Sequence, residues 1–231
     1  MIRLFNAGLF RLKRDKAYII IGIVTAIYLP LFMGKEYSDG SIRNKITVGF
    51  SRKDIYLSNL IICVLAEIIV VLIAYFVGTV LGIFLFGYVA MEISTLIIVG
   101  IIGLFLSLSY VSIFYTVTMS FSNKTYSAII SLILSFIIMF ASMYIFKKLA
   151  EPEFIKIMGA NGEEMIKNSQ YLLGTKRKVY ETTLYLLPYG QVLKMFNSSS
   201  VEYGKLLFHS IVVMISTNLI GISIFSKKQI K

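Results

Sequence analysis

The chain has 231 residues and a mass of 26.1 kDa; 57% of its residues are hydrophobic, 15% are charged, and the mean hydropathy is +0.80. Across the 92 positions of 55–146 the only charges are Glu67, Glu92 and Lys124, so a soluble fold would have to bury that whole stretch without polar surface to cover it, and a soluble catalytic domain is excluded. The net charge of +11 is concentrated early: residues 1–54 hold ten Lys/Arg against four Asp/Glu, a clustering that points to anionic lipid at a cytoplasmic membrane face and not to nucleic acid.

In residues 1–16, Ile2, Phe5, Leu9 and Leu12 recur at helical spacing among Arg3, Arg11, Lys13, Arg14 and Lys16. The pattern suits a basic amphipathic helix lying in the membrane plane, or equally a basic flank that obeys the positive-inside rule. A secretory leader fits poorly, because Leu31-Phe32-Met33-Gly34-Lys35 lacks the small-x-small cleavage pattern. The first apolar segment, 17–33, is shorter than the roughly 20 residues a span requires. The second, 55–88, makes about 51 Å of helix and has to tilt, bend or begin in the interface. Segments 95–121 and 126–146 are of spanning length, with Ser122-Asn123-Lys124-Thr125 as a polar hairpin between them, and 206–225 is the last span. The region 148–205 between the last two is expected to be extracytoplasmic and built of short helices, Glu151-Pro152 opening one, Gly174 ending another, and Glu163-Glu164 forming a solvated helix start. The expectation is an all-α integral membrane protein whose single transmembrane domain, 17–231, contains five to six membrane helices.

Orientation follows from Lys and Arg near the span ends. Lys227, Lys228 and Lys231 ask for a cytoplasmic C-terminus, and counting back places the Lys124 hairpin and the basic segment 34–54 inside as well. Segment 17–33 conflicts with this: a single crossing would put five N-terminal cations outside, whereas a re-entrant segment broken near Pro30 would keep both flanks inside. Both arrangements stay open at the level of sequence.

The polar stretch between the first two apolar runs is punctuated. Ser38 and Asp39 are good N-cap residues, 41–48 allows two helical turns, Gly49 is placed to end them, and Ser51-x-x-Asp54 matches a capping box opening the next helix. The run Glu36-Tyr37-Ser38-Asp39-Gly40-Ser41-Ile42-Arg43-Asn44-Lys45-Ile46, followed by Ser51-Arg52, Asp54 and Ile55-Tyr56-Leu57-Ser58-Asn59, resembles the cytoplasmic coupling segment (here 36–54) of ABC-2 type permeases, the membrane subunits of ATP-binding cassette exporters. The succession of two spans, a polar hairpin, a further span, an outer region containing Leu187-Pro188-Tyr189-Gly190-Gln191 and a last span is similar too, although family members usually have two spans before the coupling segment. Its small size and long outer region bring the chain nearest to exporters of amphipathic peptides.

The resemblance implies a permease of the bacterial plasma membrane that pairs with a second copy or a paralogue, binds separate ABC ATPase subunits carrying ATP and Mg, and moves amphipathic peptides, toxins or antimicrobials outward. In that picture Glu36, Ser38, Asp39, Gly40, Ile42, Arg43, Asn44 and Lys45 couple to the ATPase, Ser51, Arg52, Asp54 and Tyr56 form the exit of the coupling segment, and Pro188, Tyr189, Gly190 and Gln191 are an outer gate. The chain itself is expected to bind no cofactor and to be no enzyme, since no Gly-x-x-x-x-Gly-Lys-Ser/Thr loop occurs: Gly174-Thr175-Lys176 lacks the earlier glycine. Glu67 is the intramembrane polar candidate, facing either a partner or the headgroup layer. Ala74/Gly78/Gly82 and Gly100/Gly103/Ser107 are small-residue stripes for packing within a subunit or at a dimer seam. His209 is the only histidine, which leaves it a polar packing role and rules out a histidine-rich metal site. An ATP-independent channel or membrane-disrupting protein is the alternative.

Overall fold

The computed structural model describes residues 22–86, 92–159, 162–197 and 201–228. Among them are eight helices and one two-stranded hairpin. Residues 22–38 form α1; then come α2 (Ser41–Thr47), α3 (Arg52–Phe86), α4 (Ile93–Ser120), α5 (Lys124–Ala150), β1 (Phe154–Gly159), β2 (Gly162–Lys167), α6 (Gly174–Leu186), α7 (Pro188–Asn197) and α8 (Tyr203–Lys227). Helices α3, α4, α5 and α8 are long and apolar enough to cross a membrane, and the chain is a multi-pass helical membrane protein. The predicted amphipathic helix 1–16 and the start of segment 17–33 lie outside the described residues.

The helices start and stop where local chemistry dictates. Ser51 Oγ accepts the Asp54 backbone N–H (3.1 Å) and donates to the Asp54 carboxylate (2.6 Å), the expected cap at the head of α3. Asn123 Oδ1 accepts from the N–H groups of Thr125 and Tyr126 and so opens α5 straight after the α4 turn. Gly49, with φ of 103°, follows the end of α2. The expected Ser38/Asp39 cap of α2 is not made: Gly40, at φ 69°, holds the N-cap position without a side-chain bond, while Ser38 Oγ donates back to the Gly34 carbonyl. The left-handed turn needed to reverse the chain between α1 and α2 falls to the glycine because a Cβ disfavours it. Helix α1 runs unbroken through Pro30, so of the two arrangements open at the level of sequence the one with a break near Pro30 is not seen; the proline costs one hydrogen bond to the preceding turn without ending the helix.

α4 is the hub, enclosed by α1, α3, α5, α7 and α8, and its own residues from Leu106 to Met119 are mostly buried. One cluster joins Ala26, Leu29 and Met33 of α1 to Tyr56 of α3, Tyr110, Phe114 and Tyr115 of α4 and Phe225 of α8; a second joins Val99, Ile102 and Leu106 of α4 to Val192, Met195 and Phe196 of α7. Hydroxyls and small residues bring the helices together. Thr116 Oγ1 donates to the Thr217 carbonyl (3.0 Å), Asn218 Nδ2 to Ser112 Oγ (3.0 Å), and Ser109 Oγ to the Ser210 carbonyl (3.2 Å), lacing α4 to α8. On α5, Ser127, Ser131, Ser135 and Ser142 are buried, a small face of the kind that allows close helix approach. Of the two glycine stripes, Gly100 lies under the Tyr75 ring and Gly103 and Ser107 are buried, whereas Ala74 and Gly78 remain exposed.

Between α5 and α8 the structure departs from the expectation of helices alone. Strands β1 and β2 pair antiparallel in the register Phe154↔Lys167 to Gly159↔Gly162, which places Glu163 and Glu164 in a strand and not at a helix start. Asn168 staples the base of this pair, donating from its backbone N–H to the Glu153 carbonyl (2.9 Å) and from Nδ2 to the Pro152 carbonyl (3.0 Å). Gly174 opens α6 at φ 57° instead of ending a helix.

Candidate functional site

Two ends of the bundle carry the residues singled out in the sequence. At the first end α1, α4 and α8 finish, α3 and α5 begin, and α2 lies between α1 and α3. Glu36 of α1, Lys45 of α2 and Asn59 of α3 form a closed polar triangle there. Lys45 Nζ reaches both Glu36 oxygens (3.0 and 3.1 Å) and Asn59 Oδ1 (3.3 Å), and Asn59 Nδ2 donates to Glu36 Oε2 (2.7 Å). Asn59 is buried and Ile42 anchors α2 into the main core cluster. Three elements are therefore joined by charge-assisted bonds, each stronger than a neutral one.

A second knot lies beside it. The Tyr37 hydroxyl donates to the Met119 carbonyl at the end of α4 (3.0 Å); Lys228 Nζ donates to that carbonyl (3.0 Å) and to the Tyr37 oxygen (3.2 Å), with its ammonium 4.4 Å from the Tyr37 ring centre. Burial lowers the Lys228 amine to about 8. Arg52 donates to the carbonyls of Phe225 and Lys228, satisfying the orphan acceptors at the end of α8. Tyr56 is fully buried: its hydroxyl meets Thr116 Oγ1 and Asn218 Oδ1, each at 3.1 Å, and its carbonyl accepts from the Tyr115 hydroxyl (2.7 Å).

The coupling candidates thus fall into two groups. Glu36, Ile42, Lys45, Arg52 and Tyr56 are turned into the protein. Ser38, Asp39, Arg43, Asn44, Ser51 and Asp54 are exposed, and Gly40 makes the turn between α1 and α2. Sequence reasoning did not include Val48 and Phe50, which project from the end of α2 at 76% and 59% exposure. Two apolar residues around Gly49 in an otherwise polar segment were the signal available for them.

At the opposite end α6 and α7 form a re-entrant helical hairpin. At its tip, Tyr189 and Leu187 pack in the cluster that contains Tyr110, near the middle of α4. Pro188 occupies the first position of α7, where its missing N–H costs nothing. Gly190 lies against Leu184, whose Cδ1 would be 2.7 Å from any added Cβ. Gln191, fully buried, donates to the Tyr185 carbonyl and accepts from Ser210 Oγ of α8 (2.7 Å). The four gate candidates therefore sit together, packed between α4, α5 and α8. His209 stacks on Tyr185 at 5.2 Å nearby.

Glu67 belongs to neither end. It lies fifteen residues beyond Arg52, about 22 Å along α3, is 7% exposed, and has the Thr25 hydroxyl of α1 at 3.4 Å from both oxygens. It borders a cleft of about 270 Å³ between α1 and α3.

A scan of protein-family models finds no match for the chain, and no curated protein matches it.

Proposed function

We propose that the chain is the membrane-spanning permease of an ATP-driven exporter of the ABC-2 type, in which α2 receives the stroke of a separate ATPase and the α6–α7 plug opens in response. The observation that carries this reading is the mounting of α2. Its inner side is fixed to α1 and α3 through Glu36, Lys45 and Asn59, while its outer side presents Arg43, Asn44, Val48 and Phe50 to solvent. An exposed charged residue on a short helix braced to a spanning helix, followed by two exposed apolar side chains just past its end, is a docking knob built to transmit force. Arg43 would pair with an acidic groove on the ATPase, and Val48 and Phe50 would fill its apolar floor.

The resemblance of 36–59 to the family's coupling segment supports the choice of partner, and the basic flanks support a cytoplasmic position for α2 and the C-terminus in a bacterial plasma membrane. A second copy or a paralogue completes the pathway, and the cargo is an amphipathic peptide, toxin or antimicrobial. On this reading the chain performs no chemistry of its own, and ATP and Mg stay on the partner.

The test is purification of the tagged chain from its native membrane in mild detergent, with stoichiometric partners identified by mass spectrometry and ATP hydrolysis assayed. A nucleotide-binding subunit is expected to co-purify with the native chain and to fall at least tenfold with Arg43→Ala combined with Phe50→Ser. An intact chain recovered alone without hydrolysis, and conducting ions in pure lipid, would overturn the proposal in favour of a channel.

A further inference from the structure

The cleft between α1 and α3 is chemically lopsided. Its floor is Thr25, Leu29, Cys63 and Glu67, all buried, and its rim includes the exposed rings of Tyr28 and Phe32, stacked at 5.6 Å between centres. Its lining is mostly apolar, and among the described residues Glu67 is the one charged residue in it. Arg52 marks the level where α8 ends, so Glu67, about 22 Å further along α3, lies in the hydrocarbon zone of the spanning bundle.

A carboxylate at that depth is costly unless a cation or water meets it. Its hydroxyl contacts, both 3.4 Å, are longer than the roughly 2.8 Å of a good O–H···O bond. Among the described residues no cation pairs with it. The acid is thus presented to the cleft, under a rim of aromatic rings whose faces attract cations. The volume is a little below the ~300–1,000 Å³ of common small-molecule pockets, which limits the guest to one chain or one or two rings.

We infer that this cleft is a binding site for a small lipophilic amine entering from the lipid side, its ammonium on the Glu67 carboxylate and its apolar body against the rim formed by Tyr28 and Phe32. The site does not depend on the ATPase reading, since an exporter and a channel with this cleft bind such a guest alike.

The chain contains no tryptophan, so Tyr28→Trp places a single reporter on the rim. The protein carrying it, in phosphatidylcholine nanodiscs, is titrated with 12-bromododecylamine and with uncharged 12-bromododecanol, both of which quench indole fluorescence on contact. Saturable quenching is expected for the amine at a mole fraction at least tenfold below that for the alcohol, and Glu67→Gln should erase the difference while leaving the emission maximum unchanged. Equal quenching by the two compounds, or an amine preference that survives Glu67→Gln, overturns the site. The comparison of amine and alcohol on the Glu67 protein decides the matter even if the glutamine variant does not fold.

Discussion

At Gly221 of α8 an added Cβ would press on the Tyr56 hydroxyl and lie 2.8 Å from Thr116 Oγ1. Both are tied into the hydrogen bonds that join α3, α4 and α8, so neither can withdraw freely. Gly221→Ala is expected to destabilise by about 1–3 kcal/mol, the ordinary result of overpacking. Gly78 has open space around the same position, and there alanine should be neutral or stabilise by up to ~1 kcal/mol through helix propensity. Thermal midpoints of the two variants in one detergent check the contrast; equal midpoints would mean that α3, α4 and α8 do not meet as described. Lys228 gives a pH test. Its amine titrates near 8 in the fold and near 10.4 in an unfolded chain. Between those values the unfolded state binds more protons, so stability should rise as pH increases from about 8 to about 10. Lys228→Met should flatten that rise, as measured by melting at a series of pH values.

Among the elements, α2 owes its place to partners far away in the chain. Glu36→Ala leaves the buried Asn59 amide and the Lys45 ammonium without their shared acceptor, a loss of about 1–3 kcal/mol. Lys45→Met in the same background should cost much less than it does alone, because its main partner has already gone. A double-mutant cycle on denaturation midpoints measures this coupling, and additive losses would show that the triangle is not a unit. The helical hairpin α6–α7 depends similarly on Gln191, whose replacement by Leu strands the Ser210 hydroxyl and the Tyr185 carbonyl inside the bundle. It should loosen the plug before it unfolds the spans, which hydrogen exchange would register as faster exchange in 174–197 than in 106–119.

For the whole molecule, the antiparallel order of α3, α4 and α5 puts α2 and the 154–167 hairpin at opposite ends of the bundle. In a Cys63→Ser background, Thr47→Cys and Lys167→Cys should label with an impermeant maleimide from opposite faces of sealed vesicles. Labelling from the same face would reject the topology.

The spans were legible because hydrocarbon imposes one requirement on every residue, and twenty apolar positions meet it visibly; α3, α4, α5 and α8 all lie where the apolar runs place them. Of the caps read from the chain, Ser51-x-x-Asp54 is made, whereas Ser38 and Asp39 do not cap α2, whose N-cap position falls to Gly40. The Glu36–Lys45–Asn59 triangle, the tip of α7 near Tyr110 and the cleft at Glu67 join residues that no short window contains. The pairing of 154–159 with 162–167 had a local signal, an Asn161-Gly162 turn pair between the short apolar-bearing runs 154–158 and Met165-Ile166, which helix-directed reasoning passed over. Sequence by itself determined that this protein crosses a membrane and where its polar segments fall. Tertiary structure alone decided which of those polar residues brace the bundle and which face outward, because that division depends on contacts between helices and not on the hydropathy of any one of them.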